Sequence, residues 1–208
     1  GRGARIQRGR GTVARADQPV VCNACLVVQV VERHYRMMRE NQTMEYVKRM
    51  HAKFCWFDTE GKPIKREPHG HMEIWEAFEA LGDYVDSSDP DSAFPNIEHS
   101  FQTAEGIRAA GYPEWMQLIG LVHDVGKMMF KYGRPEDGHE GTATGCQWAL
   151  GGDTWVVGCK LPDGACFPEY NELNPDMQDP RYNTEMGIYK AGQGMATLNY
   201  AFGHDEYA

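Results

Sequence analysis

The residues with the clearest chemical potential in this chain are His123 and Asp124, adjacent in Leu121-Val-His-Asp-Val-Gly-Lys127. The pair lies within an apolar helical pattern, where an unpaired carboxylate costs several kcal/mol. A divalent metal compensates such burial, because imidazole and carboxylate both ligate first-row metals and a carboxylate can bridge two ions. Taken alone, the dipeptide is also what a helix surface beside a cap looks like. Its surroundings add weight to the metal reading. His99 falls on the preceding helical stretch, in Glu98-His-Ser-Phe-Gln-Thr103, and His204 on the last one, in Phe202-Gly-His-Asp-Glu-Tyr207. Three His and one Asp on three separate helices can converge in the core of a bundle, which is how helical proteins build dinuclear sites. Lys127 stands at i+3 from Asp124, on the same helix face.

The remaining candidates carry less. His34, His51, His69, His71 and His139 sit on polar faces or in turns, where solvent exposure is the default, and the His69/His71 pair reads as a helix entry. Cys22-Asn-Ala-Cys25 has a CxxC spacing but no second CxxC or His pair to complete a tetrahedral zinc site. Asp86-Ser-Ser-Asp-Pro-Asp91 has turn composition, dense in side chains that bond to local backbone. Gly152-Asp-Thr154 is uninformative by itself.

The elements that must position these residues are mostly helical. Val27, Val31, Tyr35, Met38, Met44, Val47, Met50 and Phe54 recur at three- and four-residue steps, predicting one or two amphipathic helices. Met72, Trp75, Ala77, Phe78 and Leu81 mark another that stops near Gly82. A helix is expected from Pro95 to Gly111 through His99, Phe101, Ala104 and Ile107. The next runs from Pro113, at a favourable first-turn position, through Trp115, Leu118, Ile119, Val122 and Phe130 to Gly133. Thr154-Trp-Val-Val157 is a short β-like piece, Asn174–Arg181 a Pro-punctuated loop, and a final helix is expected over 197–207. The expected fold is mostly α, a helical bundle with long loops and room for a small β-hairpin. Residues 1–26 read as a disordered or non-native Gly/Arg-rich arm, and 27–208 as one domain.

Composition excludes several classes. The chain of 208 residues has 41% hydrophobic and 25% charged residues, which is globular rather than disordered. Its net charge is −9, and five arginines lie in the first sixteen residues, so the body is more acidic still. That argues against a nucleic-acid or anionic-membrane surface. No apolar run approaches the roughly 18 residues of a transmembrane helix. Six irregularly spaced cysteines do not make a disulfide scaffold, and a reducing, cytoplasmic setting and a monomer are expected.

The chain also carries a family resemblance. The motifs Asp86-Ser-Ser-Asp-Pro-Asp91, Phe94-Pro-Asn96, His99-Ser-Phe-Gln-Thr-Ala-Glu-Gly-Ile-Arg108, His123-Asp-Val-Gly-Lys127, Gly152-Asp-Thr154, Asn174-Pro-Asp-Met-Gln-Asp-Pro-Arg-Tyr182 and Gly203-His-Asp-Glu-Tyr207, in this order, resemble the myo-inositol oxygenase family of the HD-domain superfamily. The resemblance implies a di-iron oxygenase that opens the ring of myo-inositol with O2 to give D-glucuronate. In that family an Fe(II)/Fe(III) pair binds substrate through one iron and O2 through the other. On the matching positions His99, His123 and Asp124 would hold one iron, and Asp124 would bridge to a second that His204 also ligates. Asp86, Ser87, Ser88, Lys127, Gly152 and Asp153 would bind the inositol hydroxyls, with Lys127 and Asp124 taking part in catalysis.

The resemblance also implies departures. The family has two further ligands downstream of the Gly-His-Asp-Glu-Tyr motif, a His and an Asp. With Ala208 as the last residue, the expectation is a C-terminally incomplete ligand set of lowered metal affinity and doubtful activity. A substrate-contacting Arg of the family has no counterpart placed in the Arg-rich head, and Glu136–Cys146 reads as an insertion, thermodynamically cheap. Two other readings stay open, an HD-type metal-dependent phosphohydrolase and a non-catalytic remnant of the oxygenase.

Overall fold

The computed structural model describes residues 23–57, 62–68, 70–86, 94–139 and 147–207, with the backbone alone given for 23–27. The expected arm is thus outside the description as far as residue 22, as are the substrate-loop residues Ser87 and Ser88 and the turn residue His69. Helix α1 (Asn23–Asn41) starts ahead of the expected boundary at residue 27. It buries Val31, His34 and Met38, one stripe at helical spacing, together with Arg39. Helix α2 (Met44–Phe54) follows at once, because the Thr43 side chain accepts from the Tyr46 amide and caps its first turn. α2 buries Met44, Tyr46, Val47 and Met50.

The turn between α1 and α2 is clasped by distant chain. Asn174 Nδ2 donates to the carbonyls of Arg39 (2.8 Å) and Gln42 (3.1 Å), and Asp176 Oδ2 accepts from the Met44 amide at 2.6 Å. The Asn174-Pro-Asp stretch therefore satisfies backbone groups that a helix end leaves without intrahelical partners. Gln42, itself buried, donates to Phe202 O at 2.6 Å and accepts from Phe202 N at 2.9 Å.

Helix α3 (Ile74–Leu81) opens with a reciprocal capping box between Glu73 and Glu76. Helices α4 (Asn96–Ala109) and α5 (Glu114–Val122) form a hairpin across Gly111, whose φ of +79° suits glycine. They approach closely at Gly120, where an added Cβ would overlap Ile107 Cδ1 and press on Thr103 and Ala104. The larger side chains Phe101, Trp115, Leu118 and Ile119, whose spacing predicts the helices, accordingly lie exposed.

The single helix expected over 113–133 is broken in two. α5 ends at Val122, a 3-10 turn spans Val125–Met128, and α6 covers Met129–Tyr132. Asp124 lies between them with φ −96° and ψ 1°, outside the α-helical range. The final helix is also absent. Strand β2 (Asn199–Tyr200) pairs antiparallel with β1 (Val156–Val157), and only a 3-10 turn, His204–Tyr207, follows. The reason is that the backbone of the segment is committed elsewhere: Ala201 N donates to Trp155 O at 2.8 Å and Phe202 to Gln42.

The main core joins α1 and α2 to Trp148, Ala149, Trp155, Val157, Leu161, Ala201 and Phe202. A smaller cluster of Tyr84, Phe130 and Leu150 lies beside the His-Asp junction. The mostly α expectation holds, with a two-stranded pairing as the hairpin-like element. No helix among the described residues is long and apolar enough to cross a membrane.

Candidate metal centre

Asp124 is 1% exposed and is the meeting point of four elements. Its Oδ1 lies 3.0 Å from His204 Nε2 and 3.4 Å from His123 Nε2. Its Oδ2 lies 3.7 Å from His99 Nε2, accepts from Asn96 Nδ2 at 2.9 Å and faces Lys127 Nζ at 3.0 Å. The four candidate ligands predicted from sequence thus come together, though only His99 is inside a helix. His123 caps α5, Asp124 sits at the junction, and His204 begins the terminal 3-10 turn.

Two glycines permit that approach. A Cβ at Gly126 would overlap the carbonyl oxygen of His204, so only glycine lets the terminal turn settle onto the Val125–Met128 turn. A Cβ at Gly152 would stand 3.0 Å from His204 Cε1, within tight contact of the imidazole.

The imidazoles are oriented from behind. His204 Nδ1 is 2.9 Å from Leu150 O, and His123 Nδ1 is 2.7 Å from Gly120 O. A neutral imidazole has one N–H, and a carbonyl can only accept, so that hydrogen belongs on Nδ1. In the neutral ring Nε2 presents its lone pair to the Asp124 carboxylate, whereas a protonated ring donates to it. A cation between them would satisfy the neutral ring, and carbonyl backing is what metal-bound histidines show. His99, His123 and Asp124 also place one ligand atom each within 4.8 Å of the others. His99 and His123 cross at 68° with ring centroids 5.4 Å apart, and both are partly open to solvent.

Lys127 is the second feature. It is 6% exposed and reaches Asp86 Oδ2 at 2.8 Å, Asp124 Oδ2 at 3.0 Å and Asn96 Oδ1 at 3.2 Å. Burial pulls its pKa down, but the Asp86 and Asp124 carboxylates outweigh that and hold it above the ordinary lysine value. Burial likewise pushes the Asp124 carboxyl up, while the His204 hydrogen bond and the Lys127 charge hold it well below the usual range.

Of the other predicted substrate residues, Gly152 lies against His204. Asp153 accepts from Arg39 Nη2 at 3.1 Å. Arg39 was not singled out by the sequence. It is wholly buried, stacked 3.9 Å from the Trp155 ring, and also donates to Asn171 Oδ1 and Cys166 O. Asn96 was missed as an individual residue too. The only signal was its place after Phe94-Pro, where a helix begins with a side chain free to turn back on the site.

The expected exposure of the spare histidines is corrected at three positions. His34 is fully buried behind the site, where burial, helped by the charge of Lys127 and opposed by that of Asp86, lowers its pKa to about 4. His139 is fully buried against Tyr207, its Nε2 2.8 Å from the phenol oxygen. His51 is half-buried; His71 is exposed as expected. Burial of His139 follows from its neighbour Asp137, which Arg49 Nη1 (3.0 Å) and Lys53 hold in the interior. The start of the supposed insertion is therefore built into the core, while residues 140–146 lie outside the described residues.

A family model described as Myo-inositol oxygenase matches residues 28–208. The chain belongs to the myo-inositol oxygenase family. Inositol oxygenase of Homo sapiens is 40% identical over 176 residues, 83% of this chain and 54% of the human protein. That of Mus musculus is 41% identical over 176 residues, with the same coverage of 83% and 54%. That of Dictyostelium discoideum is 38% identical over 181 residues, 85% of this chain and 56% of its own. The chain spans about half the length of the curated relatives it matches. In this myo-inositol oxygenase family member the junction of α5 and α6, the start of α4 and the terminal turn together carry the candidate ligands.

Proposed function

We propose that the chain carries the di-iron centre of an oxygenase that converts myo-inositol and O2 to D-glucuronate and water. The observation that carries this reading is the convergence of His99, His123 and His204 on the two oxygens of one buried carboxylate, beside a lysine paired with Asp86. The donor set fits a metal pair: neutral imidazoles backed by carbonyls and a carboxylate with both oxygens engaged. His99, His123 and Asp124 would hold one iron, and Asp124 and His204 the second. Bound irons would pass electrons from the substrate to O2 and acidify a hydroxyl that they ligate.

The chain's own residues do the rest. Lys127 keeps its proton at Nζ, and from there it donates toward a substrate oxygen and steadies the negative charge that develops as the hydroxyl loses its proton. This refines the expectation from sequence, because a charged Lys127 works as a donor. Asp86 holds Nζ in place and accepts from a neighbouring hydroxyl, and Ser87 and Ser88, next in sequence, are the further hydroxyl-binding candidates. Gly152 keeps space beside His204, and Arg39 orients Asp153 as a further acceptor. A cyclitol offers only hydroxyls, so short donors and acceptors are what it needs. Residues 27–208 constitute one HD-domain-like unit in this reading, acting as a monomer in the cytoplasm without nucleic-acid or membrane partners. The free thiols of Cys55, Cys159 and Cys166 suit a reducing compartment.

A phosphohydrolase is less well supported, since Lys127 is already neutralised by two carboxylates and little positive charge is left for a phosphate. The test is anaerobic loading with Fe(II), followed by oxygen uptake with and without myo-inositol and an assay for D-glucuronate. Inositol-dependent uptake that yields glucuronate is expected. Iron-loaded protein whose uptake ignores inositol, or that hydrolyses phosphomonoesters without consuming O2, overturns the proposal.

A further inference from the structure

A second cluster of metal-ligating side chains lies outside the Asp124 centre and takes no part in the proposed reaction. His51, in the last turn of α2, and Cys55, which caps that helix, are four residues apart and so project from one face. His51 Nδ1 is 3.2 Å from Cys55 Sγ. Glu206, on the terminal turn, brings Oε2 to 3.8 Å from the same sulfur. One ligand atom from each of the three lies within 4.8 Å of the others. In a tetrahedral site with ordinary zinc–sulfur and zinc–nitrogen bonds, neighbouring ligand atoms are about 3.5 Å apart. The two separations to sulfur fall on either side of that distance.

We propose that His51, Cys55 and Glu206 form a three-ligand site for one divalent cation of the zinc class, with water at the fourth position. The chemistry of the donor set favours this class, since thiolate and imidazole select zinc over hard, oxygen-seeking cations. A thiolate and a carboxylate together balance the charge of the ion, and the thiol proton leaves to solvent when the metal–sulfur bond forms. The ring of His51 is held edge-on to Phe202, with centroids 5.4 Å apart and planes at 88°. His51 also lines a surface cavity of about 410 Å³ with Lys48, Ala52, Phe57 and Ile64. Burial and the Glu206 carboxylate push the Cys55 thiol up to about 12, against the charge of Arg66, which is tied to the carbonyls of Lys53 and Ala52, so the thiol proton leaves only as the metal–sulfur bond forms. A cation here would tie α2 directly to the turn that begins with His204. The inference does not rest on the oxygenase reading.

The test is a Co2+ titration of the metal-free chain, followed in the near ultraviolet and the visible. A thiolate-to-cobalt charge-transfer band is expected to grow to saturation, to disappear when Zn2+ is added, and to be absent from Cys55→Ser with an unchanged near-ultraviolet circular dichroism spectrum. Glu206→Gln and His51→Gln should each weaken binding at least tenfold. A second readout needs no variant: Zn2+ should slow iodoacetamide alkylation of Cys55, mapped by peptide mass spectrometry, at least tenfold. Absence of the band, its persistence in Cys55→Ser, or an alkylation rate indifferent to Zn2+ overturns the site.

Discussion

Asp124 Oδ1 lies 3.0 Å from Nε2 of His204, and the opposite nitrogen of that imidazole lies 2.9 Å from Leu150 O. The ring is thus clamped between a carbonyl and a carboxylate, and Asp124 is shared by every candidate ligand. Asp124→Asn should therefore lose both irons together, whereas His204→Ala should lose mainly one. Iron counted after loading and desalting checks this, and equal, unchanged iron in both variants would sink the assignment.

The contact depends on close backbone approach at Gly126. Gly126→Ala should destabilise the chain by about 1–3 kcal/mol, as overpacking does, and weaken metal retention with it. Gly106→Ala offers the opposite sign, because nothing lies within 4 Å of its added Cβ and the residue is in α4. Relief of helix-interior glycine should stabilise by roughly 0.5–1 kcal/mol. Urea denaturation of the two variants gives both numbers.

Lys127 separates two buried carboxylates. Lys127→Met leaves Asp86 and Asp124 facing each other without their cation, which should cost about 3–5 kcal/mol in the metal-free chain. Iron loading should recover part of that loss, because the cations would neutralise Asp124. A thermal-shift comparison of metal-free and iron-loaded variant tests the point; a loss identical with and without iron would contradict it.

Buried His139 has its pKa lowered to about 4 by burial, from an ordinary value of 6.5. The unfolded chain takes up a proton below pH 6.5 that the folded chain refuses until about pH 4, so the neutral ring's stabilisation is complete above 6.5 and drains away as pH falls between those values. The loss should approach about 3 kcal/mol at the acid end. Urea midpoints measured across that window should decline less steeply in His139→Gln than in the parent. Equal slopes would show that other groups govern the acid limb.

Gln42 ties the α1–α2 turn to the segment that carries His204, through a reciprocal pair with the Phe202 backbone. Gln42→Ala strands a buried N–H and a buried C=O, each costing about 1–3 kcal/mol. The expected result is a lower urea midpoint together with reduced iron at the His204 side.

The identity of the donor set was legible in the sequence because it depends on residue type and local spacing. An adjacent His-Asp pair in an apolar stretch, two more histidines in mixed stretches and a lysine at i+3 already mark a candidate metal site, and helical periodicity places α1 to α4 within a few residues. What the sequence could not decide follows from contacts between distant parts of the chain. Periodicity runs unbroken through His123 and Asp124, yet the helix stops there. The reason is the backbone of His204 against Gly126, a contact that no local pattern encodes. The apolar residues of 197–207 are compatible with a helix, but pairing with Trp155 and Gln42 takes their amides first. Burial of His34, Arg39, Asn96 and His139 likewise depends on partners far along the chain, since a polar residue is exposed by default until a distant carboxylate, carbonyl or phenol satisfies it. Residue types determined which chemistry the chain can support, and the tertiary structure decided which groups stand close enough to carry it out.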